Sequence, residues 1–363
     1  MTIHSGDTDI DPRLEAWREP VRGGYPDPAL FALSGVDSLR AMLDGRAPSC
    51  PLEHLLGTKL TEVGAGKATF TMPASPWLVS PQGAIAVGTL AILADGALGC
   101  AVQTGLPPAT GYTTSELSLR VVRPAQVGSI LTAKGRLVHA GRRVALSEVL
   151  IEDGAGRLVA NGSSLCFVFP TKSPPPGLPP SSPPVRQPEY ATPDPYLRPV
   201  IGEVIPQEVW DEMSGLEMLT ASLAGELPAP PTRYLMGLRL VEAADGTAGF
   251  ALPASEWLCP PTGTVQGGVI AMLADAALAC AIMTVTPAAT AMASIDLKVN
   301  FLRPGIADGR DLLARGTVAH AGRTISVAHS EVVNSDGKRV ALATGSALLI
   351  PGRSASLVDI TID

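Results

Sequence analysis

The 363-residue chain is short of basic charge, of aromatic side chains and of cysteines that could pair. Lys and Arg number 27 against 34 Asp and Glu, a net charge of −7. That balance disfavours a general nucleic-acid binder or a polybasic membrane binder, so an anionic ligand has to be held by a local basic cluster. Five cysteines (Cys50, Cys100, Cys166, Cys259 and Cys280) form an odd set with no CxxC pair. This suits neither a disulfide framework nor a zinc site, and a reducing cytoplasm is the expected compartment. Met1 to Asp11 has neither a basic nor an apolar leader region, so no secretory signal is expected. Two apolar runs, Ile85–Val102 and Val265–Val285, are long enough to raise the membrane question. Each carries an Asp at its centre and lacks flanking aromatic or basic anchors, so both are expected to be buried helices of a soluble domain.

Apolar residues make up 46% and charged residues 17%, ample for a packed core. At roughly 150 residues per domain the length argues for two domains, and an internal repeat says the same. Met72-Pro-Ala-Ser-Pro-Trp-Leu78 returns as Leu252-Pro-Ala-Ser-Glu-Trp-Leu258, 180 residues later. The same offset pairs Ala91–Asp95 with Ala271–Asp275, Val122-Arg123-Pro124 with Leu302-Arg303-Pro304, and Ser34-Gly35 with Ser214-Gly215. After one inserted residue, His139-Ala-Gly-Arg142 matches His320-Ala-Gly-Arg323. A period this long is a duplicated domain rather than a solenoid. Between the copies, residues 170–199 hold 12 prolines, which rules out a helix or central strand and implies an extended connector. The expected organisation is an extension with a leading helix (1–50), a first domain (51–170), the Pro-rich linker (171–205), a second leading helix with its domain (206–351) and a tail (352–363).

Each copy has the same coarse pattern. A leading helix (about Ser34–Asp44, then Pro206–Ala224) is followed by short strands, a Pro/Gly loop and one long apolar helix. Segments of strand character come next: Thr113–Val122, Ser129–Ala140, Val144–Glu152 and Leu158–Phe169, then Ala293–Leu302, Asp311–His320, Thr324–Val333 and Arg339–Ile350. One buried helix and a run of antiparallel strands, twice, is an α+β arrangement with a curved sheet wrapped around a helix.

Asp95 and Asp275 lie in the middle of the apolar helices. A buried carboxylate needs a hydrogen-bond donor or a raised pKa. A structural Asp that caps a neighbouring backbone satisfies that demand too, but its retention in both copies points to a functional pair. The loop into the second helix ends Gln266-Gly267-Gly268, where free N–H groups and the helix dipole can hold a developing oxyanion; a Gly-Gly pair also serves tight packing. Gln266 and Asp275 are nine residues apart, about 13 Å along a helix. Neither can serve the same carbonyl on its own helix. Antiparallel packing about a pseudo-twofold axis would instead oppose the acid of one half to the helix start of the other.

These residues resemble the hot-dog domains of phenylacetate-pathway (PaaI-like) acyl-CoA thioesterases, in the layout of double hot-dog enzymes. The resemblance covers roughly 51–170 and 231–351. The family pattern is an Asn, then G-x-x-H-G-G, with an acid nine residues past the His and a Ser/Thr on the following strand. It implies two hot-dog domains forming a pseudo-dimer, and thioester hydrolysis with no cofactor beyond the coenzyme A of the substrate. Carried across, the acid is Asp95 or Asp275, the hydroxyl Thr114 or Ser294, and the oxyanion glycine Gly267, with Val87 in its place in the first half. The His position holds Gln266 or Ala86, and the Asn position Pro260 or Ser80. One intact composite site is therefore expected (Asp95 and Thr114 facing Gln266 and Gly267) and one degenerate site (Asp275 and Ser294 facing Ala86 and Val87). The thioester carbonyl would lie against the Gly267 N–H and the Gln266 amide while Asp95 activates water or attacks directly. Gly268 is a substrate-binding candidate, and Arg123, Arg303, Arg142, Arg143 and Arg323 are candidates for the coenzyme A phosphates. The tandem already supplies the pseudo-dimer, and a homodimer of two chains would give a four-hot-dog assembly. Two rivals stand beside this reading. The first is a hot-dog protein that has lost catalysis and binds acyl-CoA or another apolar ligand. The second, a hot-dog hydratase, needs a catalytic His, and none of His4, His54, His139, His320 and His329 lies in or beside the apolar helices.

Overall fold

Serine caps and prolines set where the helices begin. Ser34 accepts the Asp37 N–H at the start of α1 (Gly35–Leu43), and Pro51 opens α2 (Pro51–Leu56). Then come β1 (Lys59–Gly64), β2 (Lys67–Pro73), the long α3 (Val87–Thr104), β3 (Tyr112–Val121), β4 (Ile130–Ala140), β5 (Val144–Glu152) and β6 (Leu158–Val168). The second copy follows with α4 (Gln207–Glu212), α5 (Gly215–Ala224), α6 (Pro231–Met236), β7 (Arg239–Ala244), β8 (Thr247–Pro253) and the long α7 (Gly267–Thr284). It closes with β9 (Thr290–Phe301), β10 (Asp311–Ala321), β11 (Ile325–Val333) and β12 (Arg339–Pro351). This computed structural model describes residues 15–173, 177 and 183–352; the remainder of the expected extension, linker and tail lies outside the described residues. The second leading helix is not continuous. Met213 is extended, and Ser214 with Glu217 forms a capping box that restarts the chain as α5.

The strands form one 12-stranded antiparallel sheet in the order β1-β2-β4-β5-β6-β3-β9-β12-β11-β10-β8-β7. The two halves join at its centre, where β3 pairs with β9 from Glu116↔Asn300 to Arg120↔Asp296. α3 and α7 are buried on nearly every side, so the two long apolar runs are core helices of this fold. They cross antiparallel with backbones almost touching. A Cβ on Gly88 would lie 2.6 Å from Met272 Cα, and one on Gly268 would lie 2.5 Å from Ile92 Cα. Only glycine permits that approach.

The repeated Trp motif has a structural role. Trp77 donates its indole N–H to the Arg198 carbonyl (3.1 Å) and Trp257 donates to the Glu19 carbonyl (3.0 Å). Arg198 in turn pairs with the Glu19 carboxylate. The C-terminal part of the Pro-rich connector is thus a packed strap that meets a matching N-terminal strap across both halves. Replacing Gly88 by Ala must push α3 from α7; urea unfolding should show a loss of about 2–3 kcal/mol with an unchanged m-value.

Candidate functional site

The crossing brings each buried carboxylate to the other helix's first turn. Asp95 is 8% exposed. Its Oδ2 accepts the Gly268 N–H at 3.0 Å, and its Oδ1 accepts the Thr114 hydroxyl from β3 at 3.1 Å. Gly267 stands so close that a Cβ there would lie 3.1 Å from Asp95 Oδ2. Burial pushes the Asp95 carboxyl above the usual carboxylate range, opposed by the Gly268 N–H, the Thr114 hydroxyl and the Gly267 N–H. Gln266, the residue before α7, is 9% exposed. Its Nε2 donates to the Ile92 carbonyl of α3 at 3.2 Å, while its Oε1 is buried with no hydrogen-bond partner. Asp95, Thr114, Gln266, Gly267 and Gly268 therefore form one cluster drawn from both halves.

The second cluster is thinner. Asp275, 6% exposed, accepts the Gly88 N–H at 2.8 Å. Burial pushes this carboxyl up to about 6, with only the Gly88 N–H pulling it back. Ser294 lies on β9 at the place equivalent to Thr114, but no hydrogen bond joins it to Asp275. Ala86 and Val87, where the first cluster has Gln266 and Gly267, bring no polar side chain.

Two expected donors are engaged within the protein. The Gly268 N–H is donated to Asp95, and the space beside its Cα is filled by the α3 backbone, 2.5 Å from where a Cβ would stand. One N–H of the Gln266 amide is donated to the Ile92 carbonyl, as a buried amide at a helix crossing pairs with a nearby carbonyl, and its Oε1 acceptor is left unpaired. Gly88, the donor to Asp275, escaped attention because the family pattern aligned Val87 with the oxyanion glycine; the 180-residue offset that pairs Gly88 with Gly268 was the available signal.

The five arginines do not form one cluster. Strand register puts Arg142 and Arg143, in the β4–β5 turn, at the end of the sheet where β9 finishes just before Arg303. Arg123 and Arg323 lie at the opposite end. Phe301, which ends β9, is 3.4 Å from a Cβ built on Gly267, so Arg303 with Arg142 and Arg143 shares the Asp95 end. The Arg303 guanidinium donates to the Arg339 carbonyl, and Arg142 and Arg143 are exposed.

A curved antiparallel sheet around a long helix, present twice and closed into one sheet by a β3–β9 seam, is a tandem hot-dog arrangement. The sequence pattern described as the thioesterase superfamily matches twice, at residues 82–160 and 262–341. The acyl-coenzyme A thioesterase PaaI of Escherichia coli (strain K12) is 32% identical over 117 residues, covering 32% of this chain and 81% of that protein. Among solved structures, the tesB protein of Mycobacterium avium subs paratuberculosis aligns with TM-score 0.52 at 16% identity, covering 83% of this chain and 100% of that one. A conserved protein of unknown function with a hot dog fold, from Alicyclobacillus acidocaldarius, aligns with TM-score 0.50 at 14% identity, over 80% of this chain and 96% of that one. The chain belongs to the thioesterase superfamily.

Asp275 links this arrangement to pH. Burial lifts its folded-state pKa from the ordinary aspartate value of 3.8 to about 6, so the native state holds the proton more tightly. Its stabilising contribution is present below pH 4 and is lost as pH rises toward 6, about 3 kcal/mol in all at 1.36 kcal/mol per unit. In urea titrations from pH 4 to 7, Asp275→Asn should lack this part of the fall shown by the unaltered protein.

Proposed function

We propose that this chain is an acyl-CoA thioesterase that works from the Asp95 cluster. The observation that carries the reading is the buried Asp95 carboxylate, held across the pseudo-twofold by the Gly268 N–H at the start of α7 and by Thr114 from its own half. Among the residues beside it, Gly267 is in the first turn of α7, where N–H groups lack intrahelical acceptors. A thioester carbonyl that takes the Gly267 N–H over from Asp95 gains charge in the transition state at the positive end of the helix dipole, while the Gly268 N–H and Thr114 keep the carboxylate.

Water then attacks the carbonyl carbon and gives its proton to Asp95, whose raised pKa suits a base that must later hand that proton to the departing thiolate. The unpaired Gln266 Oε1 is the acceptor for the second proton of that water, and Thr114 keeps the carboxylate turned toward it. Direct attack by Asp95 to give an anhydride uses the same groups. Coenzyme A enters this reading through charge: Arg303 from the second half and Arg142 and Arg143 from the first are cations at this end of the sheet. No step needs a cofactor. The Asp275 cluster lacks the Gln and the engaged hydroxyl, which supports one working site per chain.

Thiol release from a panel of acyl-CoAs is the test. Asp95→Asn should lower the rate by at least about 100-fold, while Asp275→Asn should retain most of it. Loss in Asp275→Asn alone would move catalysis to the other cluster, and absence of thiol release from every acyl-CoA would overturn the hydrolase reading.

A further inference from the structure

The inner face of β3 is sealed along one part of its length and open along the other. Leu117 and Leu119 face the core with no exposure, and a bulge at Ser115 brings them into line with Thr114 and Tyr112, which solvent reaches. Tyr112 pairs with Val168 and Thr114 with Cys166, both buried, so these two side chains also point inward, toward α3. Thr114 holds Asp95, and Tyr112 is two residues nearer the end of the sheet where the Val168 N–H donates to the Arg143 carbonyl at 2.9 Å. On α3 the partly exposed residues after Val87 are Gly96, Cys100 and Gln103, all beyond Asp95 in the same direction. Solvent thus reaches this side of the acid from the Arg142–Arg143 end, past Tyr112.

The Tyr112 ring rests on α3 at Gly99, where a Cβ would lie 2.8 Å from the hydroxyl oxygen. Gly99 is one turn beyond Asp95, about 6 Å along the helix. The hydroxyl makes no hydrogen bond to any described residue. Burial holds this phenol well above its usual pKa, and Cys100, Cys166 and Asp95 add to the rise, so it stays protonated and is a donor. A donor left unpaired in so dry a place favours any ligand that brings an acceptor. The second half has Ala279 and Met292 at the equivalent positions, which supply neither the room nor the hydroxyl.

We infer that Tyr112 binds the pantetheine arm of an acyl-CoA, its hydroxyl donating to the amide carbonyl nearest the thioester. The inference rests on the hydrolase reading of the Asp95 cluster and on coenzyme A lying at the arginine end of the sheet. In every acyl-CoA that amide carbon is roughly five bonds, about 6 Å, from the thioester carbon, which matches the step from Asp95 to Gly99. A thioester carbon beside Asp95, with its sulfur directed toward Arg303, Arg142 and Arg143, brings the amide alongside Tyr112. The contact reads the carrier and not the acyl group, and the Asp275 cluster has no counterpart of it.

The test is thiol release by the full chain from three hexanoyl thioesters: hexanoyl-CoA, S-hexanoyl-N-acetylcysteamine, which keeps that amide, and S-ethyl hexanethioate, which lacks it. Tyr112→Phe keeps the ring on Gly99 and removes only the hydroxyl, so far-UV circular dichroism should be unchanged. It should lower kcat/KM by about 3- to 10-fold on the first two substrates, through KM with kcat retained, and leave the third unaltered. Met292→Ala, at the equivalent place in the second half, should leave all three unaltered. An equal loss on all three thioesters in Tyr112→Phe, or a loss on none, would overturn this inference while thiol release by the unaltered protein keeps the hydrolase reading standing. Absence of release from all three by the unaltered protein would remove the hydrolase reading and this assignment with it.

Discussion

The crossing of α3 on α7 is the constraint from which the rest follows. Each helix starts with a glycine whose missing side chain lets the other backbone come within van der Waals reach, and whose N–H binds the other helix's buried Asp. A carboxylate in an apolar core is tolerable only with such donors, and a helix's first N–H groups are tolerable in a core only with such an acceptor. Each half thus solves the other's problem. The contact that stabilises the pair of helices also assembles two composite sites.

Duplication within one chain allows what a symmetric dimer forbids, because the two sites can drift apart. The first has Gln266, Gly267 and a hydroxyl turned onto its carboxylate. The second has the acid and one donor, carries Ala86 where the other site has Gln266, and leaves Ser294 without a bond to the acid. The electrostatics record the difference: three donors oppose desolvation at Asp95, and one does so at Asp275, which stays protonated up to about pH 6. The straps add a second asymmetry. Arg22 and His54 converge on Asp194 beside the first half, while the equivalent positions 180 residues later hold Gly202 and Tyr234.

Much of this was legible in the residues. The repeat exposed the duplication, the apolar runs located both core helices to within two or three residues, and nine-residue spacing required the acid and the helix start of one site to come from different halves. Other features were not, each for a tertiary reason. The break at Met213 hides inside an amphipathic pattern that a continuous helix would fit equally well. The second half of the connector looks like a featureless proline run, because the Arg198 carbonyl that accepts from Trp77 is a backbone group common to every residue. The direction of the Gln266 amide depends on a neighbouring carbonyl, Ile92, more than 170 residues away.

Composition, spacing and the internal repeat by themselves determined that the chain is a doubled α+β domain with a paired acid and a glycine-rich helix start. These are local or periodic properties, written in consecutive residues. Only the tertiary structure decided which N–H meets which carboxylate, that Gly268 is a donor to Asp95, and that the arginines divide between the two ends of the sheet. Those outcomes depend on the register of β3 against β9 and on the closeness of two helices. Such relations between distant segments arise from packing the whole chain, so no short stretch of sequence encodes them.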